Sequence, residues 1–195
     1  MFRRGFKSQC ERSAVEVRRS FGLRSNAPLS ATDYAAKSGV RVWSDKDIAD
    51  LPESDRFQLT ITDPDSWSAF VIRIKSKHLI LYNSAQSGPR VNSVVMHELS
   101  HILLGHELSS ASLSEDGHLL PVIYNQEQED EANWLAGTLL LPRPALVEIR
   151  MRDLTEAQAM QTYGVSEQML KWRIRMTGVD YQLANFRRKS PAATV

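Results

Sequence analysis

The segment Val94-Val-Met-His-Glu-Leu-Ser-His-Ile-Leu-Leu104 constrains this chain more than any other. Its apolar residues cover so much of a helical circumference that the helix must be buried on most sides. Yet His97, Glu98 and His101 place three polar groups within it. An imidazole or carboxylate buried without a partner is costly, so a fold that accepts this helix needs a use for that face. Residues four apart share a helix face, so both imidazoles reach one metal ion. Glu98, one position round, faces the same space without being a ligand. A zinc ion lowers the pKa of its water to about 7, and a carboxylate beside it takes the proton as the water attacks an amide carbonyl. The expected activity is therefore metal-dependent peptide hydrolysis.

Five residues alone recur by chance on core-facing helices, and a catalytic zinc needs a third protein ligand. The stretch from Glu127 to Pro142 begins acidic and becomes apolar, as a helix does when its first turns face a metal. Glu129 and Asn133 are four apart, so Glu129 is expected to bind the metal while Asn133 hydrogen-bonds a ligand histidine. Glu131 lies about 200° round the helix from Glu129, so only one of the two is a ligand, with Glu131 the alternative. Acids near a helix N-terminus also favour its dipole, which accounts for Glu127, Asp130 and Glu131 without a metal. His106 falls nearly opposite His97 and is expected at the helix C-terminus rather than on the metal. His118 and Tyr124, between the two motifs, are candidate oxyanion donors, though surface placement is the expectation for each. His78 is expected to be structural, and Arg90 to contact either the sheet or a substrate.

Around these motifs the pattern predicts an α+β fold, a small antiparallel sheet with helices packed on it. Helices are expected over Ser8–Phe21, to Lys37, Arg90–Leu104 and Asn125–Leu141, followed by three shorter ones near Ala145–Met151, Thr155–Tyr163 and Ser166–Met176. Strands are expected at Val40–Trp43, Ser68–Ile74 and His78–Tyr82, with Asp45–Arg56 and Ser109–Pro121 as loops. The first helix carries Ala14, Val17 and Phe21 on its stripe, with Cys10 on the polar side. Residues 1–142 are expected to form the metal-bearing domain, with 143–195 a helical segment packed on it. Its helix-turn-helix-like end, with Lys171, Arg173 and Arg175, leaves direct nucleic-acid binding open, although its bulky apolar residues favour packing.

Charge and cysteine narrow the class further. The net charge of +1 gives no global attraction to nucleic acid or membrane. It hides an asymmetry, for residues 25–142 hold sixteen acidic against eight basic residues, which suits a cation site or a basic partner as well as a plain solvated surface. One cysteine forms no internal disulfide, and no run approaches the roughly 20 apolar residues of a membrane span. A cytoplasmic location is expected.

Several stretches together resemble the ImmA/IrrE family of metallo-endopeptidases: Ile80-Leu-Tyr-Asn83, Arg90, His97 to His106, Glu129 to Pro142, and Tyr163 to Arg173. Ser100 stands where the family commonly has Gly, and Trp134-Leu135 replaces a more usual aliphatic-Phe pair. The resemblance implies a zincin-like core of the gluzincin kind, with Zn2+ on His97, His101 and a glutamate, and Glu98 as base. It also implies cleavage of an Xre-type helix-turn-helix repressor. Some relatives look like toxins paired with an Xre-type antitoxin, so the alternative is a binding module acting through such a partner. Donors of this type accept manganese as well as zinc, with the affinity order favouring zinc.

Overall fold

The computed structural model describes residues 2–107, 111–113, 119–121 and 125–189. Along the chain run α1 (Phe6–Ser20), α2 (Ala31–Lys37), β1 (Arg41–Ser44), α3 (Glu53–Phe57), β2 (Ala69–Ile74) and β3 (Lys77–Tyr82). They are followed by α4 (Gly88–Leu104), β4 (Ala111–Leu113), β5 (Leu119–Pro121), α5 (Gln126–Leu140), α6 (Arg143–Met151), α7 (Glu156–Tyr163), α8 (Glu167–Thr177) and α9 (Val179–Lys189). None of the described helices is long and apolar enough to cross a membrane.

The strands alternate as expected, and Ile80 lies between Val42 and Val71 in register, all three turned to the helices. The sheet has the order β1-β3-β2. It is mixed rather than antiparallel throughout, because β1 runs parallel to β3. The reason is the excursion through α3 and a π-helical turn at Gln58–Thr62, which carries the chain away from β1 and returns it through β2. Asn83, fully buried, holds that excursion to the end of β3: its side-chain amide donates to the carbonyls of Leu59, Pro64 and Trp67. The β2–β3 turn is Lys75-Ser76, and Lys75 takes the left-handed conformation (φ 56°) that glycine or asparagine would adopt more readily. The expected loop at 109–121 contains a short antiparallel pair, β4 with β5.

Helix α4 lies on the sheet and under α2 and α5, with Val95, Met96 and Leu99 fully buried. Asn92 fixes it from two sides, accepting from the Ala31 backbone N–H and donating to the Gly164 carbonyl. Gly105 ends it at φ 68°, a left-handed C-cap. In α1 the stripe facing the core is Phe6, Cys10, Ala14 and Arg18, so Cys10 is buried rather than on the polar side. The helix is turned this way because Arg18 is an internal cation whose guanidinium donates to the carbonyls of Ala14, Ala27 and Leu140. Burial pushes the Cys10 thiol up to about 11, which makes it a poor nucleophile.

The C-terminal helices share their buried cluster with the rest of the chain through Leu146, Ile149, Leu170 and Val179. A further helix, α9, follows the three that the sequence pattern predicts. Arg173 is fully buried: it donates to the Leu141 carbonyl and pairs with Glu11 of α1 at 2.7 Å. Lys171 pairs with Glu156 and Glu167. Of the three basic residues of α8, only Arg175 is therefore exposed without an ion-pair partner among the described residues.

Helix α8 approaches α5 at Gly137, where a Cβ would stand 2.5 Å from Trp172 Cζ3 and 3.1 Å from Arg173 Cδ. Gly137→Ala gains about 1 kcal/mol of helix propensity but overpacks a contact whose relief costs about 1–3 kcal/mol. We expect a lower urea midpoint for the variant; an equal or higher one would show that α8 shifts freely.

Candidate metal centre

Helix α4 presents His97 and His101 one turn apart, and α5 crosses it so that Glu129 stands opposite both. His97 Nε2 and His101 Nε2 are 3.1 Å apart. Glu129 lies 3.3 Å from the first through Oε2 and 3.4 Å from the second through Oε1. Donors held about 2.0–2.1 Å from a tetrahedral metal are about 3.3 Å from one another, so this triangle fits such an ion without rearrangement. Among the described residues no other set of three such donors gathers as closely.

Groups behind the donors orient them. Asn133, one turn after Glu129, stands beside His97, where its side chain favours the protonated imidazole. His101 has a partner that spacing did not suggest: its Nδ1 lies 3.1 Å from His106 Nδ1, and His106 Nε2 lies 3.3 Å from Glu131 Oε2. His106 follows the helix-ending Gly105, whose left-handed turn brings the chain back so that the His106 N–H donates to the His101 carbonyl. His106 thus stands at the helix C-terminus and outside the donor triangle, as expected, but on the His101 side rather than opposite the metal face, because the helical wheel ends at Gly105. Glu131, the alternative ligand, is directed to His106 and so stands behind the metal face, with Arg3 3.9 Å away. A hydrogen-bonded partner on the far nitrogen fixes a ligand imidazole's tautomer and orientation.

Burial holds His101 down at about 4, reinforced by His97 and His106, and lowers His97 against the opposing charge of Glu129. Both rings are thus neutral at pH 7, the form a metal requires. Burial, with Glu129 adding to it, pushes Glu98 up to about 8. A dication nearby favours the ionised carboxylate, so metal binding and readiness of this base go together. Ser100, fully buried, donates to the Met96 carbonyl and takes no part in the site.

A groove of about 980 Å³ opens from His97 and Glu129 toward α8, and Arg90 lines it while donating to Ser68 Oγ ahead of β2. Arg90 thus contacts the sheet side and the cleft together. His78 sits at the far end of the sheet, paired in register with Arg73. His118 and Tyr124 lie outside the described residues.

Removing the His106 imidazole should weaken Zn2+ binding by about 10–100-fold in a chelator competition. Unchanged affinity in His106→Ala would mean that His101 is oriented without it. The Glu98 shift gives a second expectation. Its folded pKa of about 8 exceeds the ordinary carboxylate value of 4.5, so between these the unfolded state holds fewer protons and stability falls as pH rises. Chelator-treated Glu98→Gln should therefore melt above the chelator-treated parent, with the gap widening from about pH 5 to about pH 8. A gap independent of pH would show that Glu98 titrates normally.

The chain matches the family model of the peptidase M78 family, IrrE N-terminal-like domain, over residues 54–175, which is more than half its length. No curated protein and no solved structure matches it. The matched span runs from α3 into α8 and takes in His97, His101, Glu98, Glu129 and all of the groove lining but Phe2 and Met176. With a metallopeptidase family over the elements that carry three converged donors, the chain belongs to the IrrE N-terminal-like family of peptidases, the ImmA/IrrE group that its motifs resemble.

Proposed function

We propose that the protein is a zinc-dependent endopeptidase that cleaves an Xre-type helix-turn-helix repressor. The observation that carries the peptidase reading is the triangle of His97, His101 and Glu129, with sides of 3.1–3.4 Å, and a half-buried Glu98 whose charge Glu129 opposes. The repressor as substrate rests on the family resemblance, not on the geometry.

His97, His101 and Glu129 would hold the zinc, leaving a position open as a catalytic site requires. When bound, the ion supplies Lewis-acid polarisation of the scissile carbonyl and a water acidified to near neutrality. This chain's residues do the rest. Glu98 accepts the proton of the attacking water at a carboxylate oxygen and delivers it to the departing amine nitrogen. Asn133 and His106 keep the two imidazoles turned to the ion.

Two measurements test the reading together. Protein purified without chelator should hold about one zinc per chain by mass spectrometry, and His97→Ala should lose it. Glu98→Gln should keep the metal and lose about 10²–10⁴-fold of the cleavage of Xre-type repressors. Wild-type protein that takes up no zinc would overturn the function, and zinc-dependent cleavage surviving Glu98→Gln would overturn the mechanism.

A further inference from the structure

The groove beside the metal centre is larger than the chemistry at His97 and Glu129 needs. Its volume of about 980 Å³ is at the top of the range for small-molecule sites, about 300–1,000 Å³. Its walls are the start of α4, the outer face of α5 and the exposed face of α8. The floor is aromatic: Trp134 meets Trp172 edge-on at 5.6 Å and Phe2 at 5.3 Å. Met169 and Met176 extend it, and flexible thioethers adapt to varied apolar side chains.

The charges on the groove are unevenly neutralised. Lys171 is engaged by Glu156 and Glu167. Asp130, the acid on the rim besides Glu129, accepts from Gln126. Arg90 and Arg175 are both exposed, and neither has a carboxylate within 4.0 Å among the described residues. Arg90 donates only to the neutral Ser68 hydroxyl. An occupant therefore meets an apolar floor with two guanidinium groups to pair.

We infer that this groove selects the substrate, taking a peptide segment that presents apolar side chains to Trp172 and Met169 and an acidic side chain to Arg175. The inference rests on the peptidase reading and deepens it: Glu98 and the metal donors decide that a bond is cut, while the face of α8 decides which segment is offered. Gly137 matters here, since the close approach it permits brings Trp172 down onto α5 beside Trp134. A nucleic acid fits this surface poorly, because its phosphates would face an apolar floor and the acids Glu129 and Asp130.

The test uses the zinc-loaded Glu98→Gln protein, which binds without cutting, and three short fluorescein-labelled peptides. One carries Leu and Phe flanked by Glu; the second has Lys for Glu; the third has Ser for Leu and Phe. By anisotropy the first should bind at least about tenfold more tightly than either other. Adding Arg175→Glu should reverse the preference between Glu and Lys, and adding Trp172→Ala should abolish the preference for apolar residues. Since Arg175 is exposed, its variant remains informative if Trp172→Ala fails to fold. Equal binding of the three peptides, or displacement of the first by a single-stranded DNA oligonucleotide, overturns the inference. Wild-type protein that cleaves all three equally would also sink the selectivity but leave the peptidase standing. Selective binding with no cleavage by the wild type would do the reverse.

Discussion

Glu129 stands within 3.4 Å of two imidazole nitrogens that belong to a different helix. Holding α5 at that distance from α4 is the constraint on which the remaining structure depends. Helix α4 buries Val95, Met96 and Leu99, α5 is buried along its second half from Trp134 to Leu140, and each is clasped from its far side. The sheet and α2 hold α4, while α1 and α8 hold α5. Buried polar side chains rather than area alone set the positions: Asn92 locates α4, Arg18 joins α1 to the end of α5, and Arg173 joins α1 to α8. Such contacts are directional, so they specify orientation where apolar packing tolerates sliding.

The same burial sets the electrostatics. Partial burial keeps the two imidazoles neutral and makes a charged Glu98 unfavourable. A metal-free protein therefore contains a group of side chains that the fold does not favour for their own sake. A dication reverses the balance, because it gives each lone pair a partner and makes the ionised carboxylate welcome. Function and local instability are here two aspects of one arrangement.

Much of this was legible in the chain. The His-Glu-His spacing gave the metal face, and the four-residue step from Glu129 to Asn133 matched a ligand with its supporting amide. What periodicity missed shares a physical origin. Nothing in periodicity marks Arg18 or Arg173 as internal, yet each is buried because backbone carbonyls and, for Arg173, Glu11 accept from its guanidinium. The burial of Cys10 follows from the first of these. His106 is a helix C-terminal residue and not a donor, as expected, but its place behind His101 escapes a wheel that assumes the helix continues past Gly105. The parallel pairing of β1 depends on the path of a long excursion, and strand patterns do not encode which end a chain returns to. That the groove exists is likewise a property of three helices together.

Arg173 finds its carboxylate on Glu11, 162 residues earlier in the chain. The metal donors, by contrast, all fall between His97 and Glu129. Closing a short loop loses less chain entropy than closing a long one, and distant contacts form more slowly than local ones. The donor triangle is thus closed by a short span of chain, whereas the α8 wall of the groove is held by a contact between the two ends of the described chain. Loosening of the chain ends would therefore disturb the groove through Arg173 and Glu11 more directly than it disturbs the donors.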